Sequence, residues 1–206
     1  MKVHDEELSI ARSFAITPAS RWRIVISYIV SGLVASFFLS VVTLFVGEMY
    51  IWLTGGDILP VESWLRLIGI ILINVFCCSS MMFFIASLVK KASAFSSVST
   101  IVGTVIGFIA GIYLPIGSLP AAVQTTMKCF PFTYGASTIR EIMTKEPLQQ
   151  VFAGNSKAMD ATKEMIGITI YWGDKTVTTG LSLLILSAFA VVFGVLSVVL
   201  MKRQTK

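Results

Sequence analysis

Charge is what this sequence has least of: only 13% of its 206 residues are charged, against 55% that are hydrophobic. Soluble globular domains carry about 25% charged residues, so this scarcity excludes them and points to an integral membrane protein. Histidine is almost missing. The single His4 precedes every apolar run, which leaves an intramembrane serine–histidine protease or a histidine-based metal site without its parts. Cysteine is scarce too. Cys77 and Cys78 are adjacent and so point in different directions, Cys129 stands alone, and no disulfide framework or metal-ligand spacing follows from them. No glycine-rich loop ends in Gly-Lys-Ser or Gly-Lys-Thr, so the chain has no P-loop of its own for ATP. Internal repeats and low-complexity tracts are also missing. These absences predict a protein that is not an enzyme and binds no cofactor itself.

What is present is a set of long apolar runs. There are 24 uncharged residues between Arg23 and Glu48, 23 between Arg66 and Lys90, and 26 between Lys175 and Lys202. At about 1.5 Å per residue each run can cross a hydrocarbon core of roughly 30 Å. A further uncharged stretch, residues 92–127, is too long for one span and contains Pro115 and Pro120, with Pro131 close behind. Its first part, to about residue 114, supplies a span. Backbone groups freed by the prolines cannot stay bare in hydrocarbon, so the remainder must leave the bilayer or sit in a protein-lined cavity. The predicted fold is therefore all-α: a polytopic membrane protein with four transmembrane helices and a broken, re-entrant external segment before the last span. Residues 1–20 form a cytoplasmic amphipathic segment, and residues 21–206 a four-span membrane domain with an external segment at 115–175. No signal peptide is read, because more than twenty residues carrying both acids and bases precede the first apolar run.

Basic residues in short flanks set the orientation. Lys2, Arg12, Arg21 and Arg23 precede the first span, Lys90 and Lys91 fill the second loop, and Lys202, Arg203 and Lys206 follow the last. All belong in the cytoplasm by the positive-inside rule, which puts both termini inside. The net charge of +5 is thus a topology signal and implies no nucleic-acid partner.

Within residues 1–20, Leu8, Ala11 and Ala15, like Ile10 and Phe14, stand three or four apart. That spacing predicts a short helix with one apolar side, ended by Thr17 and Pro18. Residues 54–60 read as a turn around Gly55, Gly56 and Asp57. Residues 132–143 read as helical, with Lys145, Glu146 and Pro147 as a breaker, and 149–175 as a polar stretch with a turn at Gly154, Asn155 and Ser156.

Ser99, Gly103, Gly107 and Gly111 recur every four residues near one face of the third span. Small residues in that register let a neighbouring helix approach closely, so we read a packing face, although glycine is frequent in membrane helices generally. The spacing leaves open whether the neighbour is another span or a second subunit. Gly32, Ser36 and Ser40 repeat the pattern more weakly in the first span, where a serine can satisfy itself on its own helix. Glu48 falls where the first span emerges. Tyr50 and Trp52 beside it mark the interface, so it reads as a wetted carboxylate at a helix end rather than a buried functional acid. Asn74, inside the second span, reads as a helix-to-helix hydrogen bond. Phe130, Pro131, Phe132, Thr133, Tyr134, Arg140 and Glu141 suit a segment that dips into the outer interface and turns back, or equally an interfacial loop with no part in transport.

Two blocks resemble the ABC-2 type permeases, the membrane subunits of one class of ATP-binding cassette exporters. One is Ile16-Thr17-Pro18-Ala19-Ser20-Arg21-Trp22-Arg23 with Ser27-Tyr28-Ile29-Val30-Ser31-Gly32; the other is Leu114-Pro115-Ile116-Gly117-Ser118-Leu119-Pro120 followed by Phe130-Pro131-Phe132-Thr133-Tyr134 and Arg140. The second is similar to the family's broken segment before its last span. Members usually have six spans, and this chain matches the last four, so the resemblance implies an internal start at Met1 or missing spans supplied by another polypeptide. It also implies a bacterial plasma-membrane exporter of a drug, lipid or peptide. Permease subunits would pair as a homodimer or heterodimer, and a separate ATPase subunit would use the ATP. Asp5, Glu6, Phe14 and Pro18 would contact that ATPase, and Pro115, Pro120, Pro131, Tyr134 and Arg140 would shape an external gate. A proton-coupled antiporter resembling the small multidrug resistance proteins, with Glu48 as coupling acid, is the alternative. That family is shorter and lacks so long an external segment. A non-transporting membrane scaffold is a third reading.

Overall fold

A computed structural model describes residues 21–89, 91–173 and 175–204. The amphipathic segment expected at residues 1–20 lies outside the described residues. Among the described residues, four helices are long and apolar enough to cross a membrane. They are α1 (Arg21–Leu53), α2 (Val61–Leu88), α3 (Ala92–Ile109) and α7 (Thr179–Gln204). Between α3 and α7 come a 3-10 turn (Ile116–Ser118), α4 (Ala121–Lys128), α5 (Pro131–Val151), α6 (Ser156–Met165) and a two-residue antiparallel hairpin, β1 (Tyr171–Trp172) with β2 (Lys175–Thr176). This chain of short elements and the α1–α2 turn share one end of the bundle, called here the loop-rich end. The fold is thus the expected all-α, four-span membrane protein with a broken segment before the last span.

The bundle is held mainly by α2 against α7, with α1 on α2, and α5 packed on both α2 and α7. Cys77 of α2 meets Leu186 and Ala190 of α7, with Ile73, Leu183 and Phe189 around them. Ser80 and Ala86 of α2 and Ser182 and Ser197 of α7 are buried as well. Lipid is as apolar as leucine, so spans gain little by hiding leucine; small side chains that let backbones approach are what bring them together. By contrast, α1 and α3 leave most of their large apolar side chains uncovered, among them Val34, Phe38, Phe45, Ile101 and Val105.

Two boundaries differ from the sequence expectation. The third span stops at Ile109, before the expected residue 114, because Gly111 takes a left-handed φ of 67°. The Ile112 amide reaches back to the Gly107 carbonyl and that of Gly111 to Phe108, a Schellman motif that satisfies the last carbonyls of the helix. The second difference is Pro147, expected to break a helix, which lies inside α5. The carbonyl that the missing proline N–H leaves free is that of Met143, one turn earlier and half-buried, beside the exposed residues 145–147.

Candidate functional site

The first half of α5 is the most completely enclosed stretch outside the spans: residues 131–135, 137 and 138 are all buried. Pro131 is its first residue, where the missing N–H has no helical partner to lose. With α4, it forms a hairpin that inserts between the spans. The level of insertion is marked by Gly135, which lies against Asn74, the fourteenth of the 28 residues of α2. A Cβ built on Gly135 would sit 1.8 Å from Asn74 Oδ1, so any larger residue here requires the Asn74 side chain to move. Asn74 differs from expectation. Its Nδ2 donates to Ile70 O of its own helix at 3.0 Å, and its Oδ1 faces the Cα–H of Gly135 rather than an N–H of another helix.

A polar stripe on α5 ties the loop-rich end together. Thr133 Oγ1 donates to Met127 O (2.7 Å) and Ile109 O (3.1 Å), joining the ends of α4 and α3 to α5. Tyr134, 1% exposed, donates its hydroxyl to Lys128 O and accepts from Trp172 Nε1, each at 2.6 Å. Burial pushes its phenol upward in pKa, opposed by the Trp172 hydrogen bond. Ser137 Oγ donates to Ile168 O at 2.7 Å. One turn further, Arg140 Nη2 donates to Ala110 O (2.8 Å) and Gly111 O (2.7 Å). A guanidinium here meets the negative end of the α3 dipole and the carbonyls just past it. Burial pulls its pKa down, though an arginine stays charged. Its Nη1 is buried with no hydrogen-bond partner among the described residues.

Beside this stripe lies a groove of about 1010 Å³ between α1 and α2. Its α1 wall presents Gly32, Ser36, Ser40 and Thr43; its α2 wall presents Asn74, Ser79 and Phe83. Ile112 and Ile139 close it at the loop-rich end. Asn74 and Ile139 thus belong both to the groove and to the contacts of the hairpin. Ser40 and Thr43 donate to carbonyls of their own helix, so the wall is apolar in effect, with few free donors.

The expected site residues fall as follows. Pro131, Tyr134 and Arg140 come together on α5, whereas Pro115 caps the 3-10 turn and Pro120 caps α4, both exposed. Ile116, between those two prolines, is buried beside Gly111 and Gly167. In the third span Gly103 has open space around it, Gly107 accommodates the Tyr113 ring, and Gly111 lies beyond the helix end. Ser99 Oγ is buried without a partner among the described residues. Asp5, Glu6, Phe14 and Pro18 lie outside the described residues.

Glu48 is a correction. Expected in water, it is 4% exposed, because residues 54–60 fold back over the end of α1 and bring the Leu59 amide to its Oε2 at 3.1 Å. Gly135, Ser137 and Trp172 carry no signal in the sequence that singles them out one by one. The spacing of Thr133, Ser137 and Arg140 by four and three does put three polar groups on one helical face, a pattern from which the stripe can be found.

Residues 3–199 match the model of a family described as ABC-2 family transporter protein. No curated protein and no solved structure matches the chain. The match spans all four apolar helices and the inserted hairpin, and the chain belongs to the ABC-2 family of transporter proteins, as a membrane-spanning permease.

Proposed function

We propose that this permease exports an apolar or amphipathic cargo, a drug, lipid or peptide, and that ATP hydrolysis on a separate ATP-binding cassette subunit drives it. One observation carries the reading: in a member of the ABC-2 family, a groove of about 1010 Å³ lies within the spans, and the inserted hairpin supplies part of its wall. An apolar groove of that size suits a membrane-dissolved cargo, which needs few polar contacts to be held. Asn74 and Ile139 link groove and hairpin, so a shift of α5 changes the shape of both.

In this reading the termini and the Lys90–Lys91 loop are cytoplasmic, and the loop-rich end faces outward. Asp5, Glu6, Phe14 and Pro18 take the push of the ATPase as it closes on ATP. The hairpin, with Pro115, Pro120, Pro131, Tyr134 and Arg140, forms the outer gate. Two permease subunits, identical or different, complete the pathway, and the open space at Gly103 beside exposed Ile101 and Val105 supports such a pairing. The chain holds no nucleotide itself.

Burial of Glu48 favours one specific rival, proton-coupled exchange through that acid. Coexpression with candidate ATPase subunits separates the two. The ATP-driven reading expects a stable complex and transport that survives Glu48→Gln whenever the protein folds. If no ATPase subunit copurifies, and a proton gradient alone drives transport that Glu48→Gln abolishes, the exchange reading replaces it.

A further inference from the structure

Helix α3 is fastened at one end far more firmly than along its length. At the loop-rich end three successive carbonyls, those of Ile109, Ala110 and Gly111, accept from Thr133 and Arg140 of α5. A helix terminus leaves such carbonyls without internal partners, so α5 clasps α3 by its tip. Little else holds the helix. Gly107 is its one buried residue, and that glycine lies against Tyr113, six residues on in the same chain. Among the described residues its main neighbour is α5. At the other end only residues 89–91 separate α3 from α2, and Val89 and Lys91 are extended.

This helix runs beside the groove, which both Phe95, near the joint with α2, and Ile112, just past the clasped end, help to line. Ser99 stands one turn on from Phe95, on the same face. Its hydroxyl is buried and has no partner among the described residues, whereas Ser97, Thr100 and Thr104 each donate to a carbonyl of their own helix. Across the groove α1 presents Gly32, Ser36 and Ser40, and the space into which a Gly32 Cβ would project is empty. The heights match. Both helices join α2 through short turns and run antiparallel to it; counted from those turns, Gly32 is level with Met82 of α2 and Ser99 with Met81.

We propose that α3 is a strap that closes the groove: it pivots on the clasp at 109–111, and its joint end swings until Ser99 meets the α1 backbone at Gly32. A glycine leaves the carbonyls around it unscreened, so the Ser99 hydroxyl gains the acceptor it lacks in the open state. Small residues on both sides permit the close backbone approach that holds helices together in lipid. Ile101 and Val105 face away from the groove, so the movement leaves them free for a second subunit. Its purpose, shutting the cargo site at the Lys90–Lys91 end, rests on the ATP-driven reading; the movement itself does not.

Paired cysteines in the full chain, held in lipid nanodiscs, read the movement. Under a mild oxidant, Gly32→Cys with Ser99→Cys should link within one chain at least about tenfold faster than Gly32→Cys with Ile101→Cys, whose α3 partner points the other way. Non-reducing gels separate links within a chain from links between chains, and mass spectrometry of the peptides distinguishes the 32–99 bond from any formed by Cys77, Cys78 or Cys129. Ser36→Trp, a wedge in the α1 wall, should slow the 32–99 link at least about tenfold by holding the sulfurs beyond bonding distance. If the Gly32 variant does not fold, Ser36→Cys with Gly103→Cys, one turn along both helices, reads the same closure. A link no faster than the Ile101 control, a link found only between chains, or a rate unmoved by Ser36→Trp overturns the proposal. Neither ATPase nor cargo is present, so that failure leaves the ATP-driven reading standing, and an ATPase that never copurifies leaves the closure standing.

Discussion

Gly135 and Arg140 set the tightest conditions on individual side chains. At Gly135 any Cβ collides with Asn74 Oδ1, so Gly135→Ala should lower stability by about 1–3 kcal/mol, the usual range for overpacking. Thermal unfolding of the purified protein reads the loss, and Asn74→Ala in the same background should recover much of it; a double-mutant cycle with no coupling would mean the two do not touch. At Arg140 two charge-assisted hydrogen bonds hold the α3 terminus. Arg140→Met should cost about 3 kcal/mol, and Arg140→Lys should recover only part, because the shorter lysine does not carry its ammonium to the position from which Nη2 reaches both carbonyls. Equal stability of the lysine variant and the parent would show that charge alone matters there. Glu48 teaches a different lesson at this scale. Its neighbours Tyr50 and Trp52 indicate an interface, but its burial depends on Leu59, eleven residues on, and no local pattern announces that contact.

Helices and their ends are legible in the sequence to different degrees. Uncharged runs locate every span, because some twenty consecutive apolar residues are what crossing a bilayer demands and more than a soluble core helix needs. The end of α3 is less plain: Pro115 is the conspicuous breaker, but the effective stop is Gly111, whose spacing also fits a stripe of small residues. Pro147 resembles a breaker in sequence because exposure of the turn that contains it is a tertiary property. Which spans pack is not legible either: α2 and α7 are far apart in sequence, and their small residues follow no strict four-residue rule. Their contact makes a prediction between elements. Ala190→Leu, at the α2–α7 contact, should destabilise by about 1–3 kcal/mol, whereas Val34→Leu on exposed α1 should stay within about 0.5 kcal/mol. Melting both variants as monomers and at higher protein concentration checks this. A large effect of Val34→Leu that appears only at high concentration would identify α1 as covered by a second subunit.

Across the whole molecule, one short stretch of α5 connects the end of α3, the re-entrant α4 turn, the 166–172 segment and the wall of the groove. Class and fold can be read from composition and from the two family-like blocks, since both are sequence-local. The groove cannot, because it exists only once α1 and α2 stand side by side. A bulky side chain at Ser36, on the exposed α1 wall, should fill the groove while leaving folding and subunit assembly intact. The most direct measurement is ATP hydrolysis by the coexpressed permease–ATPase complex in proteoliposomes, with and without lipophilic cargo, for the parent and Ser36→Trp. ATP-driven export through the groove predicts cargo-stimulated hydrolysis in the parent and its loss in Ser36→Trp, with the complex still assembled. A complex that never forms, or cargo stimulation unchanged by Ser36→Trp, contradicts it.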